Sequence, residues 1–141
     1  MKLDNQLRIL IVGLGLMGGS YAQGLSRRGF HVKAIDTNPD SISFAEENGY
    51  IEKGFCEIDE NAVGEADIIV FALYPHVFVK WIEENQHLFK PGAVLTDVTG
   101  VKECVVYKIQ EMLRPDVEFI AAHPMAGREV YGVRNADESI F

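Results

Sequence analysis

The stretch RILIVGLGLMGGS, residues 8–20, opens as an apolar strand-like run, places four glycines within seven positions and then resumes with helical spacing. Gly13, Gly15 and Gly18 form G-x-G-x-x-G between a predicted strand and a predicted helix. In that setting the first glycine permits a tight turn, the second lets backbone approach a pyrophosphate, and the third lets the helix pack close to the strand. A bound anion then meets free N–H groups at the positive end of the helix. A purely structural strand-to-helix turn would use the same spacing, so its weight depends on the rest of the chain.

Outward from the glycines, short apolar runs alternate with longer amphipathic segments. Residues 7–12, 31–36, 66–73, 93–98 and 117–122 read as strands, with 50–55 as a further short one. Residues 16–28, 39–48, 76–88 and 101–113 read as helices. The near-continuous hydrophobicity of the strands predicts a parallel sheet covered on both faces, and the alternation predicts an α/β, Rossmann-type doubly wound fold. Gly29 after Arg27 and Arg28 closes the first helix, and Asn38 before Pro39 caps the second. Val77, Phe78, Trp81, Ile82 and Leu88 read as one helix face packed on the sheet. The 141 residues contain no repeat, low-complexity tract or linker, and that length suits one domain over 1–141.

Thirteen basic against twenty-one acidic residues give a net charge of −8, which offers no general attraction to nucleic acid or an anionic membrane. Any phosphate must be held locally, as a glycine loop can. Cys56 and Cys104 stand 48 positions apart in no ligand-spaced cluster with the four histidines, so the expectation is two free thiols and no metal. The N-terminus carries Asp4 and polar residues where a secretory leader is apolar, and no apolar run reaches the roughly 18 residues of a membrane span. The expected location is the cytoplasm. Asp36 ends the second strand 23 residues after Gly13, where an acidic side chain can accept the ribose hydroxyls of an adenosine and repel a 2′-phosphate. Alone it could be a turn residue ahead of the TNPD cap; with the glycines it points to NAD in preference to NADP.

Open α/β sheets bind ligands at the carboxyl ends of their strands. Those ends are ALYPH (72–76), DVTGVK (97–102) and AAHPMAGREVYG (121–132). The expected cofactor contacts are therefore Gly13, Gly15, Leu16, Met17, Gly18, Asp36, Thr37, Leu73, Tyr74, Pro75 and Asp97. His123 follows an apolar strand and Pro124 turns the chain away, so its ring can project toward a nicotinamide as an acid-base group. Histidine, with a reference pKa of about 6.5, can be a neutral acceptor at pH 7. A strand-end histidine that caps a loop fits the same pattern. His76, at the end of the fourth strand, reads either as a neighbour of the nicotinamide or as an exposed helix-start residue, and His31, at the opposite edge of the sheet, as a structural one.

GLGLMGGS, Asp36, TDVTGVK and HPMAG-x-E occur in an order by which the whole chain resembles the N-terminal dinucleotide-binding domain of the prephenate and arogenate dehydrogenases of tyrosine biosynthesis. HPMAG is the specific element; 3-hydroxyacid dehydrogenases share GLG-x-MG but typically lack this histidine-led loop. The resemblance implies an NAD-dependent oxidative decarboxylation of prephenate or arogenate. Hydride leaves the ring carbon that bears the hydroxyl, His123 accepts that hydroxyl's hydrogen bond or proton, carbon dioxide departs and the ring becomes aromatic. The resemblance also implies a second, helical domain that forms a homodimer and supplies cations to the substrate carboxylates. The given residues carry neither that domain nor, after NADESIF, the further strand expected to close the sheet, so the expectation is a part of a longer protein or a natural short form with a partner.

Where the family usually reads DVGSVK, with a serine hydroxyl reaching the substrate, this chain has Gly100, which leaves Thr99 as the nearest hydroxyl. Thr99, Gly100 and Glu129 are the expected substrate-side residues. Lys102 opens the next helix, either touching the cofactor or simply solvated. REVYG stands where the family often shows Glu-Lys-Ser; Glu129 matches that loop's acid, whereas Val130 and Tyr131 do not fit. Two further readings stay open at this point: another NAD-dependent hydroxyacid dehydrogenase, and a non-catalytic NAD-binding module.

Overall fold

β1 (Arg8–Val12) is buried on both faces because its side chains alternate: Leu10 and Val12 enter one apolar cluster, Ile9 and Ile11 the other. The molecule is described by a computed structural model over residues 1–100, 103–125, 127 and 129–141, with backbone only at 103 and 104. Beside β1 lie β2 (His31–Ile35) and β3 (Lys53–Phe55) on one side, and β4 (Ile68–Phe71), β5 (Val94–Asp97) and β6 (Glu118–Ile120) on the other. The order is β3-β2-β1-β4-β5-β6, and every pairing is parallel. The expected doubly wound fold is thus observed, with its switch point between β1 and β4, where the chain's progress across the sheet reverses.

The register sets the site. Val12 pairs with Ile35 and with Phe71, and Phe71 pairs with Asp97, so four strand ends share one row. The loops beginning at Asp36, Gly13, Ala72 and Val98 therefore leave the sheet at one level.

Helices α1 (Leu16–Arg27) and α2 (Pro39–Glu47) pack Ala22, Ile42 and Ala45 on one face of the sheet. Helices α3 (Glu60–Glu65), α4 (Pro75–Asn85) and α5 (Glu103–Met112) pack Val63, Phe78, Ile82 and Ile109 on the other. Of the predicted α4 face, Phe78 and Ile82 are buried and Trp81 sits edge-on to Phe71 at 5.1 Å, but Val77 is exposed and turns to the cleft described below. α3 has no counterpart in the sequence reading, since six residues are too short to show a helical period; Asp59 caps it by accepting from the Ala62 N–H.

β6 departs from the expectation of strands covered on both faces. It is a three-residue edge strand with Glu118 and Ile120 exposed. Beyond it, among the described residues, no further strand follows. The chain instead crosses back over the carboxyl edge of the sheet and docks its last residues on α1. Val133 is buried against Gly19, where a Cβ would stand 3.0 Å from both Val133 Cγ2 and Ala136 Cβ. The Asp137 N–H donates to Ser20 Oγ and the Glu138 N–H to Gln23 Oε1. Tyr21 and Phe141 meet at 4.7 Å.

Candidate functional site

The glycine loop divides its three glycines between two tasks. Gly13 has φ +98°, and a Cβ there would lie 2.4 Å from the Ala72 carbonyl oxygen; one on Gly18 would lie 1.8 Å from the Gly13 oxygen. Both are demanded by the turn itself. Gly15 is different, with φ −87° and nothing within 4 Å of its Cβ direction. Neither backbone nor packing requires glycine at 15; the open space lies where a ligand's pyrophosphate would come against backbone.

α1 begins at that point. Gly15 is its N-cap, no side chain caps it, and the first turn carries no acidic residue. Its leading N–H groups are left for an anion, with the positive end of the helix behind them. α2 and α3, by contrast, are closed by the Asn38 and Asp59 side chains.

Asp36 faces the same loop. Its Oδ2 accepts the Leu14 N–H at 2.6 Å and its Oδ1 the Asn38 N–H at 2.8 Å. A carboxylate has about four lone-pair sites, so two remain for ribose hydroxyls. The turn-residue and ribose-reading accounts are therefore compatible.

Between the glycine loop and the loops after β4 and β5 lies a cleft of about 680 Å³. Of the expected cofactor residues, Gly13, Gly15, Leu16, Met17, Gly18, Asp36, Leu73, Tyr74 and Pro75 line it, as do Thr99 and Gly100 from the substrate-side set. Asp36 is the only Asp, Glu, Lys, Arg or His in the described lining. Three expected residues stand outside this lining. Asp97 is fully buried and does not line the cleft, because its carboxylate is taken up by Thr99 and Ala122. Thr37 is exposed and outside the lining. Glu129 is likewise exposed and outside it; Val130, Tyr131 and Gly132 present themselves instead as the returning chain passes the cleft. Lys102 lies outside the described residues. Cys56 is a free, exposed thiol.

His123 is exposed just past the end of β6, with its ring against Gly100. A Cβ on Gly100 would stand 3.4 Å from His123 Nε2 and 3.5 Å from Cε1, so the ring edge borders the cleft through that glycine. The hydroxyl of Thr99 is directed elsewhere: Thr99 is buried and its Oγ1 donates to Asp97 Oδ2. His76 is exposed, its ring stacked near Tyr74 at 6.5 Å, and His31 is held at the far edge by Glu52 at 2.7 Å.

Residues 21–141 match the family described as prephenate dehydrogenase, nucleotide-binding domain. The chain belongs to this family. It is 31% identical over 137 residues to a prephenate dehydrogenase of Lactococcus lactis, covering 95% of this chain and 38% of that protein. It is 30% identical over 142 residues to one of Bacillus subtilis, covering 97% and 38%. A crystal structure of prephenate dehydrogenase from A. aeolicus, in complex with hydroxyphenyl propionate and NAD+, superposes with a TM-score of 0.88 at 31% identity, covering 99% of this chain and 49% of that one. Synechocystis arogenate dehydrogenase superposes at 0.85 with 28% identity, covering 94% and 46%. The chain thus spans about two-fifths of the curated relatives and about half of the solved ones.

Sequence reasoning missed Val98, Val77 and Gly132 as cleft residues and gave Val130 and Tyr131 no role. Gly132 carried a signal, since glycine suits its φ of +86° where the chain turns off the cleft toward α1. Val77 was hidden by a helical period that places it beside core residues. No membrane-crossing helix and no metal-binding cluster occur among the described residues.

Proposed function

We propose that residues 1–141 form the NAD-binding domain of a cytoplasmic, homodimeric dehydrogenase that oxidatively decarboxylates prephenate or arogenate in tyrosine biosynthesis, with His123 as its acid-base group. One observation carries the reading: the His123 ring borders, through Gly100, a cleft whose other end is built from an uncapped helix, an open glycine and a hydrogen-bonded acid. Gly15 and the first turn of α1 would hold the pyrophosphate by backbone N–H groups, and Asp36 would accept the adenosine ribose hydroxyls. The neighbour solved with NAD+ supports that choice of dinucleotide. Bound NAD supplies the hydride acceptor for the substrate carbon that bears the hydroxyl.

The chain's own residues do the rest. His123 would take the hydroxyl proton as the carbon bearing it is oxidised, the electrons of the bond to the departing carbon dioxide would complete the aromatic ring, and the imidazolium would return the proton to the ring oxygen to leave a neutral phenol. Leu73, Val77, Val98 and Val130 give the cleft apolar walls. Gly100 offers no side chain to the substrate, so His123 works without a neighbouring serine. The test is a titration of the labelled chain with NAD followed by amide NMR. Shifts are expected at residues 13–18, 36, 72–75 and 98–100; shifts elsewhere alone, or none at millimolar NAD, would overturn the assignment.

A further inference from the structure

β5 and β6 stop pairing at Thr96 and Ile120, two residues short of Ala122. Beyond the ladder the half-buried Ala122 N–H donates to Asp97 Oδ1 at 3.2 Å, across 25 residues of chain. Asp97 Oδ2 accepts from the Thr99 N–H at 3.1 Å and from the Thr99 hydroxyl. One fully buried carboxylate thereby holds the residue before His123 and the residue before Gly100, against which the His123 ring rests. Thr96 steadies the approach, its Oγ1 donating to the Ile120 carbonyl at 2.8 Å.

We propose that Asp97 is the positioning residue for His123, fixing the imidazole against Gly100 at the cleft margin from inside the protein. The proposal deepens the acid-base reading of His123 and takes its functional meaning from it. A carboxylate suits the task because both oxygens accept, and hydrogen bonds to an ionised acceptor are about twice as strong as neutral ones. Asparagine has one acceptor oxygen, so at position 97 it satisfies Thr99 or Ala122 and turns an N–H donor toward the other.

The experiment compares the wild-type chain with Asp97→Asn, both isotope-labelled. In wild type, a nuclear Overhauser contact is expected between Gly100 Hα and His123 Hε1, with a protected Ala122 amide. In Asp97→Asn that contact should vanish and Ala122 exchange should rise about ten-fold or more, the scale of one lost charge-assisted hydrogen bond, while NAD affinity moves by less than about two-fold. A folded variant that keeps both signals overturns the proposal. Should Asp97→Asn not fold, the wild type decides: an Ala122 amide exchanging as fast as those of 129–131, or no Gly100–His123 contact, overturns it, and both signals present uphold it. In the whole enzyme, Asp97→Asn should lower kcat by about 10²-fold with KM nearly unchanged, as misplacement of a reacting group does. If His123→Asn leaves turnover near normal, the acid-base reading fails while the NMR result on Asp97 stands by itself.

Discussion

The Leu14 N–H donates to Asp36 Oδ2 at 2.6 Å, which ties the glycine loop to the end of β2. With Asn38 donating to the other oxygen, the carboxylate is aimed and held while keeping acceptor capacity for ribose. Asp36→Asn should therefore do two things. It loses a backbone acceptor, costing about 1–2 kcal/mol of stability, and it removes the charge that repels a 2′-phosphate. Calorimetry should show tight NAD and weak NADP binding in wild type, with the preference collapsing in the variant. Equal affinities in wild type would show that Asp36 does not read the ribose.

Gly15 and Gly18 should separate binding from folding. Gly15→Ala places a methyl in open space, so its stability cost is that of a poorer N-cap, about 1 kcal/mol or less, while NAD affinity drops as backbone approach is blocked. Gly18→Ala drives its Cβ into the Gly13 carbonyl and should cost several kcal/mol, on the order of the largest single-residue losses. Thermal unfolding beside NAD titration measures both. A Gly15→Ala chain that binds NAD normally would return this glycine to an unexplained position.

This contrast also marks what a sequence can carry. The strand segments, the glycine loop and Asp36 were legible because each rests on local rules: apolar runs of strand length, a turn that tolerates only glycine, an acid at a fixed distance along one β-α-β unit. Asp97 has the residue type and strand-end position of a ligand, yet it is buried, because its partner Ala122 lies 25 residues on and no local pattern announces the pairing. The docking of Val133 on Gly19 is equally non-local, and it is what carries Val130 and Tyr131 past the cleft while leaving Glu129 outside it. Thr99 looked like a free hydroxyl for the same reason: its acceptor is visible only once the loop is folded.

Asp67 gives the fold a dependence on acid. Burial raises its pKa, but the Arg8 N–H and the Lys90 ammonium outweigh that and hold it below the ordinary carboxylate value. A carboxyl depressed in the folded state contributes stability that is complete above its unfolded value and is lost as pH falls through the folded one. Asp67→Asn should therefore destabilise at neutral pH by about 1–2 kcal/mol, less at high salt because Lys90 is partly exposed, and the gap to wild type should close on acidification below the carboxylate range. Denaturant unfolding at a series of pH values tests it. A gap that stays constant into acid would assign the effect to packing.

His123→Asn in the whole or reconstituted enzyme tests the chemistry. Asparagine keeps a polar side chain beside Gly100 but lacks the basic ring nitrogen, so turnover should fall by about 10²–10⁴-fold, the usual scale of general-base catalysis. NAD affinity should barely change, because the glycine loop, α1 and Asp36 hold the dinucleotide at the other end of the cleft. Steady-state rates, measured beside NAD binding, separate the outcomes. Near-normal turnover would reduce His123 to a loop residue at the end of β6, whereas lost NAD binding would move it from acid-base chemistry into the cofactor site.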